Sequence, residues 1–116
     1  MSKSKAQDMV LMLSGDLMFS SRVKSAAERF GKRFRISGRL PDDDVESIDY
    51  VIVDLSTRSG LLPEIVEQCA ERCPDARLLA YGPHVHVDRL KAARDAGISP
   101  VLTNGQFDAA LATLFQ

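Results

Sequence analysis

The sequence lacks the bulk features that mark membrane proteins, secreted proteins and nucleic-acid-binding proteins. No run reaches the roughly 18 apolar residues of a membrane-spanning helix, and the first apolar run is too short for a signal-peptide core. The formal net charge is −1, so the clustered positive charge that binds nucleic acid or anionic membranes is missing. These absences predict a cytoplasmic protein that binds neither nucleic acid nor membrane.

Cysteine is scarce as well. Cys69 and Cys73 are the only two cysteines, and reduced thiols fit a cytoplasmic protein. They lie four positions apart on a predicted helix, in line with Ile65, which predicts that they face the core as small apolar groups. Without a further Cys or His on the same element, they make a weak metal site.

What the sequence does contain is an alternation of short apolar runs and amphipathic segments. Hydrophobic residues are 45% and charged residues 27% of the chain, which is typical of a globular protein. We predict one domain over residues 1–116, with a flexible N-terminus at 1–7. Strands are predicted at residues 9–13, 33–38, 50–54, 77–81 and 100–102. Helices are predicted at residues 17–30, 40–48, 61–73 and 87–96 and after 103–105, with a polar loop at 56–60.

The pattern of strand and helix, repeated five times, predicts a parallel sheet with helices on both faces. Residues 50–54, Tyr-Val-Ile-Val-Asp, form an unbroken apolar run that ends at Asp54, as in a strand buried on both faces. Residues 33–38 alternate polar and apolar side chains, which indicates an edge strand. Five strands commonly take the order 2-1-3-4-5. We therefore predict a three-layer, doubly wound α/β fold of the flavodoxin-like type.

In such a fold, ligands bind at the carboxyl ends of the strands. The candidate residues at that edge are Ser14, Asp16, Asp54, Gly82, His84, His86 and Asn104. Asp16 suits the N-cap of the first helix, and Asp54 could accept backbone N–H bonds from neighbouring loops. Two histidines at i and i+2 project to one side of an extended loop. With Asp16 and Asp54 they could bind a transition metal such as zinc, although a loop that contacts a partner is the simpler interpretation.

The order of elements, Val-Ile-Val-Asp at 51–54 and Ala-Ala-Arg-Asp-Ala-Gly at 92–97 resemble the receiver domains of bacterial response regulators. The resemblance covers nearly all of residues 8–116. It implies that Asp54 stands at the position that accepts a phosphoryl group, with Mg²⁺ as cofactor. It also implies a pairing face for a homodimer, formed by the fourth helix, the fifth strand and the fifth helix.

A working receiver also needs an acidic pair after strand one, a hydroxyl residue ending strand four, an aromatic residue in strand five and a lysine after it. The residues that stand there in this chain are Ser14-Gly15 with Asp16 one place late, Gly82, Val101 and Asn104-Gly105. The lysine would neutralise charge on the transferred group, and Asn104 carries none. We therefore expect a pseudo-receiver, a stand-alone signalling module that acts through a protein partner, without a cofactor and without enzymatic activity.

Two alternatives stay open from the sequence. The first is a slow phospho-accepting regulator in which Asp54 is the acceptor and Asp16 helps to bind Mg²⁺. The second is a metal or small-ligand site at the edge formed by Asp16, Asp54, His84 and His86.

Overall fold

The computed structural model describes residues 7–116; most of the predicted flexible N-terminus, residues 1–6, lies outside the described residues. Five parallel strands form one sheet in the order β2-β1-β3-β4-β5. The strands are β1 (Met9–Leu13), β2 (Arg33–Ser37), β3 (Ile48–Asp54), β4 (Arg77–Gly82) and β5 (Val101–Thr103). The predicted fold class and strand order are confirmed. Gln7 is described, and its side-chain amide donates to the Ile48 carbonyl at 3.2 Å.

Helices cover both faces of the sheet. They are α1 (Leu17–Arg29), α2 (Leu55–Arg58), α3 (Glu64–Arg72), α4 (Val87–Asp95) and α5 (Asn104–Ala110), with 3-10 turns at Val45–Ser47 and Ser59–Leu61. Helices α1 and α5 pack on one face and share a core with Met12 and Ile52. Helices α3 and α4 pack on the other face, where Val51 and Val53 lie. None of the helices within residues 7–116 is long and apolar enough to span a membrane.

The central strand β3 gives the fold its axis. Its neighbours are β1, through the pair Leu13 and Val53, and β4, through the pair Asp54 and Tyr81. Successive side chains of a strand point to opposite faces, so Asp54 lies on the side of Ile52, towards α1 and α5. The strand order therefore places Asp54 at the carboxyl end of the middle strand, between the loops that follow β1 and β4.

The prediction of a helix at residues 40–48 is wrong, since only Val45–Ser47 forms a 3-10 turn. Leu40 and Pro41 are buried, and Asp44 has a φ of 60°, in the left-handed region. The acidic side chains form ion pairs with other elements and do not cap a helix: Asp42 with Arg72, Asp43 with Arg35 and Asp44 with Arg33. Tertiary charge pairing and burial thus override the local helix signal.

The loop predicted at residues 56–60 is also wrong, because α2 and a 3-10 turn occupy it. The helix predicted from residue 61 begins only at Glu64, after Pro63. Helix α2 forms for a local reason: Asp54 is its N-cap and accepts a hydrogen bond from the Ser56 backbone N–H. Strand β1 matches its predicted bounds, and the other four strands differ from theirs by one or two residues at one or both ends. Helix α5 ends at Ala110.

Candidate functional site

The site is built on the buried carboxylate of Asp54, which is 1% exposed. Asp54 ends β3 on the face that carries α1 and α5. Ser14 directly follows β1 and lies beside Asp54. Its backbone N–H donates to the Ser37 carbonyl at 3.1 Å, which continues the pairing of β1 with β2 by one residue. The residues that follow Asp54 turn at once into α2. Three chain segments therefore converge on a single carboxylate.

Each oxygen of the Asp54 carboxylate accepts two hydrogen bonds. Oδ2 accepts from Ser14 Oγ at 2.7 Å and from Thr57 Oγ1 at 2.8 Å. Oδ1 accepts from Ser56 Oγ at 2.7 Å and from the Ser56 backbone N–H at 3.0 Å. An ionised carboxylate offers about four lone-pair sites, so these four neutral donors fill it. Any new bond to either oxygen has to displace one of them.

The donors are themselves held in place. Ser14 Oγ accepts the Asp16 backbone N–H at 2.9 Å, and Thr57 Oγ1 accepts the Gly15 backbone N–H at 3.0 Å. The turn after β1 is therefore tied to the start of α2 through the hydroxyls that donate to Asp54. This network fixes the geometry of the loops around the Asp54 carboxylate, which accepts the hydrogen bonds.

Asp16 stands beside this network and serves a different purpose. It is the N-cap of α1, and its Oδ1 accepts the Met18 backbone N–H at 2.9 Å. The N-cap interpretation of Asp16 is thus confirmed. A Mg²⁺ ion requires several oxygen ligands. Both oxygens of Asp54 and Oδ1 of Asp16 already accept hydrogen bonds, and no third acidic side chain within residues 7–116 joins them to hold a metal ion. The residues present do not fit the metal.

The two histidines are not brought to Asp54. His84 is exposed, and His86 precedes α4, with its Nδ1 at 3.5 Å from Arg89 Nη1. No group of three or more His, Cys, Asp or Glu side chains within residues 7–116 is placed to hold a metal ion. The structure thus gives no support to a zinc site formed by Asp16, Asp54, His84 and His86.

Gly82 is buried at the end of β4, where a hydroxyl residue would stand in a working receiver. A Cβ added there would lie 3.1 Å from the Cβ of Leu55. That distance is shorter than ordinary packing allows, so Leu55 would have to shift before any side chain could be placed at this position. The close approach of α2 to β4 therefore favours glycine here.

Asn104, in the place of the receiver lysine, is the first residue of α5. Its side-chain Oδ1 is buried and has no hydrogen-bond partner within residues 7–116. The neighbouring hydroxyl of Thr103 caps α5 by accepting the Gln106 backbone N–H at 3.2 Å. Neither residue supplies a positive charge to the Asp54 site.

Tyr81 is a site residue that the sequence placed only in a strand. It pairs in register with Asp54, and its ring stacks on Phe107 with centroids 4.2 Å apart and an angle of 8°. Burial raises the pKa of its phenol, and the negative charges of Asp54 and Asp16 raise it further. Tyr81 therefore lines the site as an uncharged side chain.

Two arginines that the sequence did not single out bind the backbone beside the Asp54 site. Arg58 lies across the backbone of Gly15 and Gly38, where an added Cβ would come within 3.1 and 3.3 Å of its guanidinium nitrogens. Its Nη1 donates to the Thr57 carbonyl at 2.9 Å. Arg89 Nη1 donates to the Ser56 carbonyl at 3.2 Å. Both cations thus bind backbone carbonyls around α2.

Exposed apolar side chains border the same edge. Leu17 and Met18 open α1 and are 72% and 85% exposed, and Val85 and Val87 flank the start of α4 at 69% and 64%. They follow β1 and β4, the two strands on either side of β3. The loops that follow these two strands thus expose four large apolar side chains to solvent.

No family model and no curated protein sequence matches the chain. Solved structures do match. The orphan response regulator of H. pylori is 15% identical with a TM-score of 0.68, and the match covers 95% of each chain. The beryllofluoride-activated NtrC4 receiver domain dimer is 17% identical with a TM-score of 0.66, covering 93% of this chain and 96% of that one.

A third match is a response regulator from Burkholderia pseudomallei whose structure carries a phosphorylated aspartic acid and a calcium ion. It is 17% identical with a TM-score of 0.67, and the match covers 94% of this chain and 66% of that one. These likenesses agree with the strand order and with the helices on both faces of the sheet. The chain has the fold of a response-regulator receiver domain.

Proposed function

We propose that this protein is a receiver-fold signalling module that acts through contacts with a protein partner and does not use phosphorylation of Asp54. The observation that carries the proposal is the buried Asp54 carboxylate with four hydrogen-bond donors. In this proposal the protein is not an enzyme, needs no cofactor and works in the bacterial cytoplasm. The free thiols of Cys69 and Cys73 support that location.

The chemistry of an acceptor explains why the four donors matter. An attacking Asp54 oxygen needs a free lone pair directed at phosphorus and a cation to offset the incoming charge. Freeing Oδ2 breaks the bonds from Ser14 and Thr57, and each hydrogen bond to a charged group is worth about 1.5–3 kcal/mol. Since about 1.4 kcal/mol is a tenfold change in rate, the two bonds alone slow attack by roughly a hundredfold to ten-thousandfold.

Intact-mass spectrometry after incubation with acetyl phosphate and Mg²⁺ tests this proposal. We expect no phosphoryl adduct on the wild-type protein. The Burkholderia pseudomallei regulator, treated in parallel, is the positive control, and Asp54→Asn is the negative control. An adduct on the wild type that disappears in Asp54→Asn would overturn the proposal and favour a slow phospho-acceptor. An adduct that persists in Asp54→Asn lies on another residue and leaves the proposal standing.

The contact surface is the second part of the proposal. Two surfaces are candidates: the α4–β5–α5 face, which the receiver resemblance implies for a homodimer, and the edge with Leu17, Met18, Val85 and Val87. The exposure of these four side chains favours the edge, whereas the NtrC4 receiver dimer shows that a receiver fold can pair with itself.

Analytical ultracentrifugation over a range of concentrations separates the two surfaces. If the protein dimerises, loss of the dimer in Met18→Asp places the interface at the edge, and loss in Ala92→Asp places it at α4. Both residues are exposed, so neither change disturbs the core. A monomer at all concentrations would remove the homodimer and leave a partner of a different sequence.

A further inference from the structure

Two cysteines lie one helical turn apart at the C-terminal end of α3. Cys73 follows the last helical residue, Arg72, and its backbone N–H donates to the Cys69 carbonyl at 2.9 Å. Both side chains belong to the same hydrophobic core cluster. Both residues are free thiols and 5% exposed. They lie at the opposite edge of the sheet from Asp54, because β4 begins just after them.

The backbone at Cys73 permits these thiols to come closer. In an α-helix, Cα atoms four residues apart are separated by about 6.2 Å, within the roughly 4.4–6.8 Å range of disulfides. The Cβ atoms, about 5–6 Å apart, have to approach to about 3.5–4.5 Å. Cys73 has φ −144° and ψ 63°, which lies outside the helical region. The chain can therefore turn Cys73 towards Cys69 without unwinding the helix interior.

Charge and access distinguish Cys73 from Cys69. The neighbouring thiol of Cys69 and the positive charge of Arg72 lower the pKa of Cys73, while its burial opposes them. The neighbouring thiol of Cys73 and burial raise the pKa of Cys69. Cys73 also lines a surface pocket of about 150 Å³ with Pro74 and Asp75, so a small oxidant reaches it from solvent.

We propose that Cys69 and Cys73 form a peroxide-sensitive dithiol switch, in which Cys73 is the reacting thiol and Cys69 the resolving one. The Cys73 thiolate attacks hydrogen peroxide, the O–O bond breaks, and Cys73 sulfenic acid and hydroxide form. The Cys69 sulfur then attacks the sulfenic sulfur, a disulfide forms, and the Cys69 proton leaves with the hydroxyl as water. Peroxide is reduced and the two thiols are oxidised.

The disulfide would change the structure locally. Arg72 lies between the two cysteines; its guanidinium donates to the Pro41 carbonyl, and it pairs with Asp42 at 3.6 Å. Drawing Cys73 towards Cys69 reshapes the last turn of α3, so it shifts Arg72 and loosens the link between α3 and the segment that joins β2 to β3. A redox change thus reaches a surface that carries charged groups.

The test treats the folded full-length chain with hydrogen peroxide and quenches the reaction with iodoacetamide. We expect the loss of two hydrogen atoms from the intact mass, the loss of both alkylation sites, and recovery of both after dithiothreitol. Hydrogen exchange of the amides in residues 69–77 should differ between the oxidised and reduced forms. Cys69→Ser should trap a sulfenic acid on Cys73 that dimedone labels, and Cys73→Ser should leave Cys69 largely unlabelled.

Three outcomes would overturn the proposal. The first is a wild-type protein that keeps two alkylatable thiols under peroxide that oxidises free glutathione. The second is a disulfide between two chains in place of one within the chain. The third is dimedone labelling of Cys69 in Cys73→Ser that equals the labelling of Cys73 in Cys69→Ser, since equal reactivity contradicts the assigned roles. A melting curve of each variant confirms that it is folded.

Discussion

Replacing Asp54 by asparagine tests the assigned role of its carboxylate most directly. The change keeps the shape of the side chain and removes its charge. It also converts one acceptor oxygen into an amide donor that faces donors. In a site made of clustered acids, neutralising one carboxylate relieves like-charge repulsion and stabilises the fold. Here Asp54 is surrounded by the hydroxyls of Ser14, Ser56 and Thr57, so we expect Asp54→Asn to destabilise it.

The magnitude follows from the hydrogen bonds. A bond to a charged group contributes about 1.5–3 kcal/mol, against about 0.5–1.5 kcal/mol for a neutral pair. Each of the three hydroxyl bonds therefore loses about 1 kcal/mol, and the free energy of unfolding falls by about 3 kcal/mol. For a domain of this size that corresponds to a Tm lower by roughly 10 °C. It is a large part of the roughly 5–15 kcal/mol that holds a native domain together.

Urea unfolding followed by circular dichroism measures this loss, and an unchanged m-value ensures that the two proteins unfold in the same way. Asp75→Asn, in an exposed turn, is the matched control and should stay within about 0.5 kcal/mol of the wild type. A double-mutant cycle with Ser14→Ala should give a coupling energy above about 0.5 kcal/mol. An Asp54→Asn protein as stable as the wild type, or more stable, would refute the assigned role.

Two further predictions concern the residues around Asp54. Gly82→Ala should lower the free energy of unfolding by about 1–3 kcal/mol, because the added Cβ meets the Leu55 side chain. A Cβ added at Gly105 meets no heavy atom of a neighbouring element within 4 Å, so Gly105→Ala should raise the free energy of unfolding by up to about 1 kcal/mol through helix propensity. Urea unfolding of both variants checks these opposite signs. The pKa of Tyr81 is raised above 10.0, so its stabilising contribution is complete below pH 10 and is lost as pH rises beyond it. The stability deficit of Tyr81→Phe should therefore be constant below about pH 10 and shrink as the pH rises above it, and a deficit that stays constant above about pH 10 would contradict this.

The elements that could be predicted are those whose signal is local and whose burial is complete. Strand β3 carries Val51, Ile52 and Val53, all fully buried, and a β-branched run of this kind has few alternatives to a central strand. The edge position of β2 followed from its alternation. The helix expected at 40–48 failed because Asp42 and its neighbours pair with arginines from other elements, which no local pattern reveals.

The contacts of the Asp54 site also fall into those that the sequence could predict and those that it could not. The bonds from Ser56 and Thr57 to Asp54 are local, and aspartate is a favoured N-cap residue, so the start of α2 could have been recognised. The bond from Ser14 depends on the register between β1 and β3. The position of Arg58 depends on glycines that follow two other strands. Such contacts form only once the sheet is assembled, so no local sequence pattern predicts them.

An aspartate at the end of β3 can therefore be retained for stability alone. As an N-cap its side chain is worth about 0.5–2 kcal/mol, and the bonds from Ser14 and Thr57 add to that by joining β1 and α2. Its presence in a receiver fold does not by itself establish phosphoryl transfer, which depends on the groups around the carboxylate. Acids with a lysine make an acceptor that gains stability when neutralised, and neutral donors make a structural anchor that loses it. The sign of one change in the free energy of unfolding, that of Asp54→Asn, separates the two.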